Sequence, residues 1–188
     1  MVFSTREEAA GLEYQVATSE PAPTAELLDS ARPDTDERFL ALPDNLPPDI
    51  RDLAFKVTAG TATDYQAAVK LQQFFTKDGG FTYNLRTRGQ SNSALRDFLM
   101  RDRMGYCEQF AASMAVLARL VGIPSRVAIG YTGDRKVGDR WQVGTGDSHS
   151  WPELYFEGVG CRSLSRGSWW SRAARNARSD RVRRGLSI

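Results

Sequence analysis

Apolar residues fall at helical intervals through the first two thirds of the chain and at strand-like intervals after it. Ile50, Leu53, Ala54 and Val57 share one face behind Pro48, so a helix is predicted from that proline, whose missing N–H would be an orphan in any first turn. A second helix is predicted from Thr63, with Ala68, Leu71 and Phe75 on its stripe and Gly79-Gly80 as its stop. Asn92 or Ser93 is placed to cap a third, which carries Leu95, Phe98 and Leu99. The longest begins at Cys107: Phe110, Met114, Leu117 and Val121 follow at steps of four, three and four until Gly122-Ile123-Pro124 ends it. Such a face needs a large apolar partner. Residues 125–131, 140–143 and 148–156 supply one as strand-like runs separated by Gly and Asp turns, which reads as an antiparallel meander. Helices followed by strands make an α+β fold.

Ahead of this core, residues 12–18 alternate like a half-exposed strand, residues 23–33 read as a short helix closed by proline, and residues 40–48 form an extended connector. The chain therefore divides into an N-terminal extension over residues 1–46, a core over 47–160 and a tail over 161–188. The net charge of +2 conceals how different that tail is: 17 basic face 22 acidic residues up to Gly160, and eight arginines face the single Asp180 beyond it. Without a sustained period of 2 or 3.6 residues, the tail is expected to be poorly ordered. Its arginines, with Trp169 and Trp170, can hold phosphates and stack on bases. A solvated tail has the same composition, and specific nucleic-acid binding is not expected.

At 188 residues the chain is long enough to fold as one domain with a real core, burying on the order of 70% of its unfolded surface. No run approaches the roughly 18 apolar residues of a membrane span, and residues 1–8 hold no basic stretch followed by an apolar one. Neither a span nor an export signal is expected, which would leave this chain cytoplasmic if made alone. Cys107 and Cys161 make neither a disulfide scaffold nor a zinc site, and no phosphate-binding glycine loop occurs, so no metal or cofactor is expected.

The chemistry concentrates at the start of the longest helix. There the unpaired backbone N–H groups and the partial positive charge of a helix N-terminus favour a thiolate at Cys107, and the backbone N–H of Cys107 is itself a candidate oxyanion donor. The chain's one histidine, His149, lies 42 positions later on the last predicted strand. A neutral imidazole brought to that thiol can take its proton and later return it to a leaving amine. Taken singly, both residues also read as structure, since a buried cysteine packs as a small hydrophobe. Tyr106 and Trp151 flank the pair, either as walls of an acyl-binding cleft or as plain core. Glu108 and Arg126 read as members of structural ion pairs or hydrogen bonds.

Four segments carry more than their composition: Gly105-Tyr-Cys-Glu-Gln-Phe-Ala111, Gly122-Ile-Pro-Ser-Arg-Val127, Gly130-Tyr-Thr132 and Asp147-Ser-His-Ser-Trp-Pro-Glu-Leu-Tyr-Phe156. Together, in this order, they resemble the bacterial transglutaminase-like superfamily, in particular the TgpA-type core domain, over about residues 40–160. The resemblance implies a papain-like scaffold with the nucleophile helix packed on an antiparallel sheet, Cys107 as nucleophile and His149 as base. It implies acyl transfer or amide hydrolysis on a protein or peptide substrate, through a thioester released to an amine or to water. Domains of this kind belong to membrane-anchored proteins and lie outside the cytoplasm. The family continues past the histidine's strand into an aromatic-Asp-Pro-Thr-like segment whose carboxylate orients the histidine. Here no Asp or Glu occurs between Glu157 and Asp180, so no third triad acid is identified. The abrupt change after Gly160 reads as a lost coding frame or a replaced C-terminus. It predicts weak activity and a sheet edge left unpaired. The alternative is a non-catalytic module that keeps the fold to bind peptides or a cell-envelope partner.

Overall fold

Each helix of the domain starts and stops where local chemistry dictates. The computed structural model describes residues 11, 13, 15, 17, 23–32, 36–85, 92–132 and 135–163, with backbone alone for 92 and 161–163; the predicted strand over 12–18 and most of the tail lie outside the described residues. Helix α1 (Ala25–Ser30) is capped by Thr24, whose Oγ1 accepts from the Leu27 N–H. Helix α2 (Pro48–Thr58) starts at its proline and buries Ile50, Ala54 and Thr58. Helix α3 (Asp64–Gln73) is capped by Thr63 and widens into a π turn over Phe74–Asp78, which sets Phe75 in the core before Gly80 takes the left-handed conformation. Strand β1 (Thr82–Tyr83) follows, and helix α4 (Asn92–Asp97) also ends in a π turn, over Phe98–Asp102. Ser93 lies inside α4, whose described residues begin at Asn92; the residues ahead of it lie outside the described ones. Strand β2 (Met104–Gly105) pairs with β1 in parallel and delivers the chain to helix α5 (Cys107–Leu120).

The strands that follow are β3 (Ser125–Tyr131), β4 (Arg135–Val137), β5 (Arg140–Gln142), β6 (Ser148–Phe156) and β7 (Gly160–Ser163). They do not form the simple meander that the sequence suggested. β3 pairs directly with β6, and β6 with β7, all antiparallel, while β4 and β5 form a separate two-stranded ribbon. The reason is local: a Gly138-Asp139 turn lets residues 140–142 pair with 135–137, and the exposed side chains of Val137 and Trp141 give the ribbon no apolar face to bury in the sheet. β7 carries regular structure three residues past Gly160. It covers Glu153 to Phe156 of β6, so the expected open edge is confined to the first half of that strand among the described residues.

Helix α5 is the centre of the core. Phe110, Met114, Leu117, Ala118 and Leu120 pack with Ile50 and Ala54 of α2, Leu71 of α3, and Leu154 and Phe156 of β6. Phe75, Phe81, Phe98 and Phe110 meet edge to face or tilted, except that Phe75 and Phe98 stack, and Phe98 and Phe110 are centred 5.0 Å apart. This places the first turn of α5 on a rigid block of aromatic rings.

Candidate active site

The start of α5 is prepared by the four residues before it. Arg103 takes φ 48°, a left-handed turn that ends the π-helical segment, and its guanidinium reaches the Gly79 carbonyl across the Phe81 ring. Gly105 then passes where no side chain fits, since a Cβ there would stand 2.8 Å from the Phe98 ring and 3.0 Å from Cβ of Gln109. Tyr106 is the N-cap: its backbone N–H donates to Oε1 of Gln109 at 3.1 Å, which bends the Gln109 side chain back over the helix start. The Tyr106 hydroxyl donates to Glu108 at 2.8 Å, so Glu108 is held as a structural partner. Cys107 is the first helical residue and exposes 9% of its surface, enough for a small reagent and little else. Phe110 is the first residue of α5 whose N–H is bound by a helical carbonyl, that of Tyr106; the amides of the first turn, Cys107 included, lie at the positive end of the helix.

His149 enters from the other side of the chain's path. Only Val121 to Pro124 separate α5 from β3, so β3 runs back along the helix, and β6, antiparallel to β3, runs with it. The level of the two layers is pinned by the Ser125 hydroxyl, which donates to the Ala115 carbonyl at 2.8 Å, and by Arg119, whose guanidinium holds the Ser125 carbonyl at 2.7 Å. Burial among these groups lowers the Arg119 pKa from its ordinary value. From Ala115 back to Cys107 is about 12 Å at roughly 1.5 Å per residue. From Leu154, which pairs with Ser125, back to His149 is about 16 Å at roughly 3.3 Å per residue. Both distances lead to the same end of the layer, where His149 is 4% exposed.

Register decides which way each strand residue faces. Ser125, Val127 and Ile129 pair with Leu154, Pro152 and Ser150 on one face, which packs toward α5 at Ser125 and Leu154 and leaves Val127 and Ile129 exposed. Arg126, Ala128 and Gly130 pair with Glu153, Trp151 and His149 on the other. On that second face the rings of His149 and Trp151 are stacked, 6.5 Å between centroids and 23° between planes. The Trp151 indole N–H donates to Oε1 of Glu153 at 3.3 Å, and Oε2 of Glu153 accepts from Arg126 at 2.7 Å. Arg126 is thus the ion-pair member that its composition suggested. Trp151 is a direct neighbour of His149, whereas Tyr106 belongs to the helix cap.

Two residues of this neighbourhood escape a reading of the sequence alone. Glu153 lies four positions from His149, about 13 Å along a strand, and enters only because Trp151 bridges the gap; the Trp-x-Glu alternation was the available signal. Gly130 pairs with His149, and a Cβ there would stand 3.0 Å from the Trp151 ring. A cleft of about 600 Å³ between α1 and α3 is lined by none of these residues, and of its two carboxylates, Glu26 and Asp29, the latter already accepts from Thr63 and Gln66. Among the described residues no group of His, Cys, Asp and Glu is arranged to hold a metal ion.

Known proteins share this arrangement of elements. The family model of the transglutaminase-like superfamily matches residues 51–171. An uncharacterized protein of Bacillus subtilis, YebA, is 34% identical over 129 residues, which are 64% of this chain and 17% of that protein. A protein-glutamine gamma-glutamyltransferase of Pseudomonas aeruginosa is 33% identical over 128 residues, 67% of this chain and 19% of its own length. The solved periplasmic domain of TgpA from Pseudomonas aeruginosa superposes with a TM-score of 0.66 at 28% identity, covering 76% of this chain and 51% of that domain; its ethylmercury-bound form gives 0.64 at 30% identity, covering 73% and 51%. The chain spans about a fifth of the length of these two curated relatives. Over the helix-and-sheet core just described, it belongs to the transglutaminase-like superfamily and is a transglutaminase-like core domain of mixed α+β fold.

Proposed function

We propose that this domain performs cysteine-dependent acyl transfer or amide hydrolysis, with Cys107 as nucleophile and His149 as its base. The observation that carries the reading is the placement of Cys107 at the first position of α5, level with His149 at the start of β6, in a chain of this family. His149 shares the sheet face of Trp151 and Glu153, so the reading requires the two groups to meet at the rim, where helix tip and strand start both end. In the reaction the imidazole takes the thiol proton and the thiolate sulfur attacks the carbonyl carbon of a carboxamide. The C–S bond forms as the C–N bond breaks, and the imidazolium gives its proton to the departing amine. An incoming amine or water then attacks the thioester and frees the sulfur. The Cys107 backbone N–H is placed to stabilise the oxyanion of both steps.

The substrate class follows from the relatives: a glutamine carboxamide or a peptide bond of a protein, with the domain working outside the cytoplasm as part of a larger membrane-associated protein. Among the described residues no helix is long and apolar enough to cross a membrane. Lack of an acid between Glu157 and Asp180 supports reduced turnover; in the serine-protease template, disabling the orienting carboxylate costs about 10⁴ in rate. The same lack is what favours the second reading, a binding module that keeps the fold.

Iodoacetamide at pH 6 to 7 separates the two. Cys107 is expected to be carbamidomethylated faster than Cys161, and the advantage is expected to vanish in His149→Ala. Slow, equal labelling of the two cysteines, indifferent to His149, would leave only the binding module.

A further inference from the structure

The sheet face that carries His149 holds a set of contacts that no acyl-transfer step requires. Arg126, Glu153, Trp151 and His149 follow one another along two paired strands: an ion pair of 2.7 Å, an indole hydrogen bond of 3.3 Å, and a ring stack of 6.5 Å. Each member restrains the next. Glu153 keeps only 18% of its side chain exposed, and the Arg126 guanidinium fixes its carboxylate, so the acceptor for the indole does not wander. Gly130 supplies the floor, because the Trp151 ring passes 3.0 Å from where the Cβ of any other residue would stand. The indole is thereby wedged between a fixed carboxylate and the imidazole.

We infer that Trp151 and Glu153 are positioning residues for His149: Glu153 orients the indole, and the indole fixes the plane of the imidazole. In a triad a carboxylate holds the histidine ring through a hydrogen bond. Here a carboxylate about 13 Å away along the strand acts on the ring through an aromatic lever. Offset-stacked rings with centroids 4.5–7 Å apart are favourable enough to select one ring orientation over its alternatives. The inference deepens the proposed catalytic site and rests on it for its consequence at Cys107, but not for the geometry itself.

The test uses the whole chain and needs no substrate. Because the chain has one histidine, the Cε1–H and Cδ2–H resonances of its imidazole are assigned without ambiguity by proton–carbon NMR. In the unaltered protein they are expected to carry a ring-current shift from Trp151. Trp151→Leu should remove that shift, and Glu153→Leu should reduce it. Glu153→Gln, which keeps an oxygen for the indole N–H, should retain most of it. Gly130→Ala, which substitutes no other member of the set, should move it by lifting the indole; it carries the test if Trp151→Leu does not fold. Iodoacetamide labelling of Cys107 should slow about 2- to 10-fold in the variants that lose the shift. Unchanged histidine resonances in Trp151→Leu or Gly130→Ala, or equal effects of Gln and Leu at Glu153, would overturn the inference. Altered resonances with labelling that ignores both them and His149→Ala would uphold the positioning and defeat the catalytic pair.

Discussion

At Gly105 the constraint is space, not conformation. Its backbone does not occupy the left-handed region, unlike Gly80 and Gly122, yet a methyl group there would meet the Phe98 ring at 2.8 Å. Gly105→Ala is expected to cost about 1–3 kcal/mol in urea unfolding, the usual range for forcing volume into a packed site. Iodoacetamide labelling of Cys107 should change with it, because the same residue fixes where the helix begins. In the sequence this glycine stands only as the first residue of the cysteine's segment. That it is hemmed in by a ring seven positions earlier is a fact of packing, and no local rule contains it. Cys107 and His149 were legible from residue type and surrounding motif. Glu153 was not, since period-2 alternation gives the face of a side chain but not the neighbour that makes that face matter.

At the level of elements, α5 and its contact with β3 set the geometry of the site. The Ser125 hydroxyl is fully buried against the Ala115 carbonyl, and it is one of the contacts that fix how far along the helix the strand lies. Ser125→Ala is expected to lower stability by about 1 kcal/mol in urea unfolding, the ordinary worth of a neutral hydrogen bond. Helix limits were readable because caps and stops are local: Thr24, Thr63, Pro48 and Gly122 each end or begin an element where the chain itself supplies the reason. Strand partners were not. Residues 140–142 have the composition of a sheet member, but a tight turn gives them a closer partner in residues 135–137, and loop closure favours the nearer pairing.

Across the whole molecule, the sheet beside α5 is built, among the described residues, of β3, β6 and β7. Among the described residues β7 pairs with β6 as far as Glu153↔Ser163, and a strand prolonged in that register would set position 167 opposite His149 and position 165 diagonal to it, on the same face. These positions hold Gly167 and Ser165. An acid installed as Ser165→Asp is expected to raise the rate of Cys107 labelling at pH 6 to 7, and Arg166→Asp, of opposite parity, is not; equal effects of the two would argue against a strand-borne acid as the missing group. The sequence by itself determined the helices, the cysteine at a helix tip, the family and the want of an acid, because caps, periodicity and motifs are properties of neighbours along the chain. Only the tertiary structure decided that β6 lies beside β3, which end of the helix His149 reaches, and which ring leans on it. Those depend on strand register and on the level at which a sheet packs on a helix, quantities fixed by contacts between residues far apart in sequence.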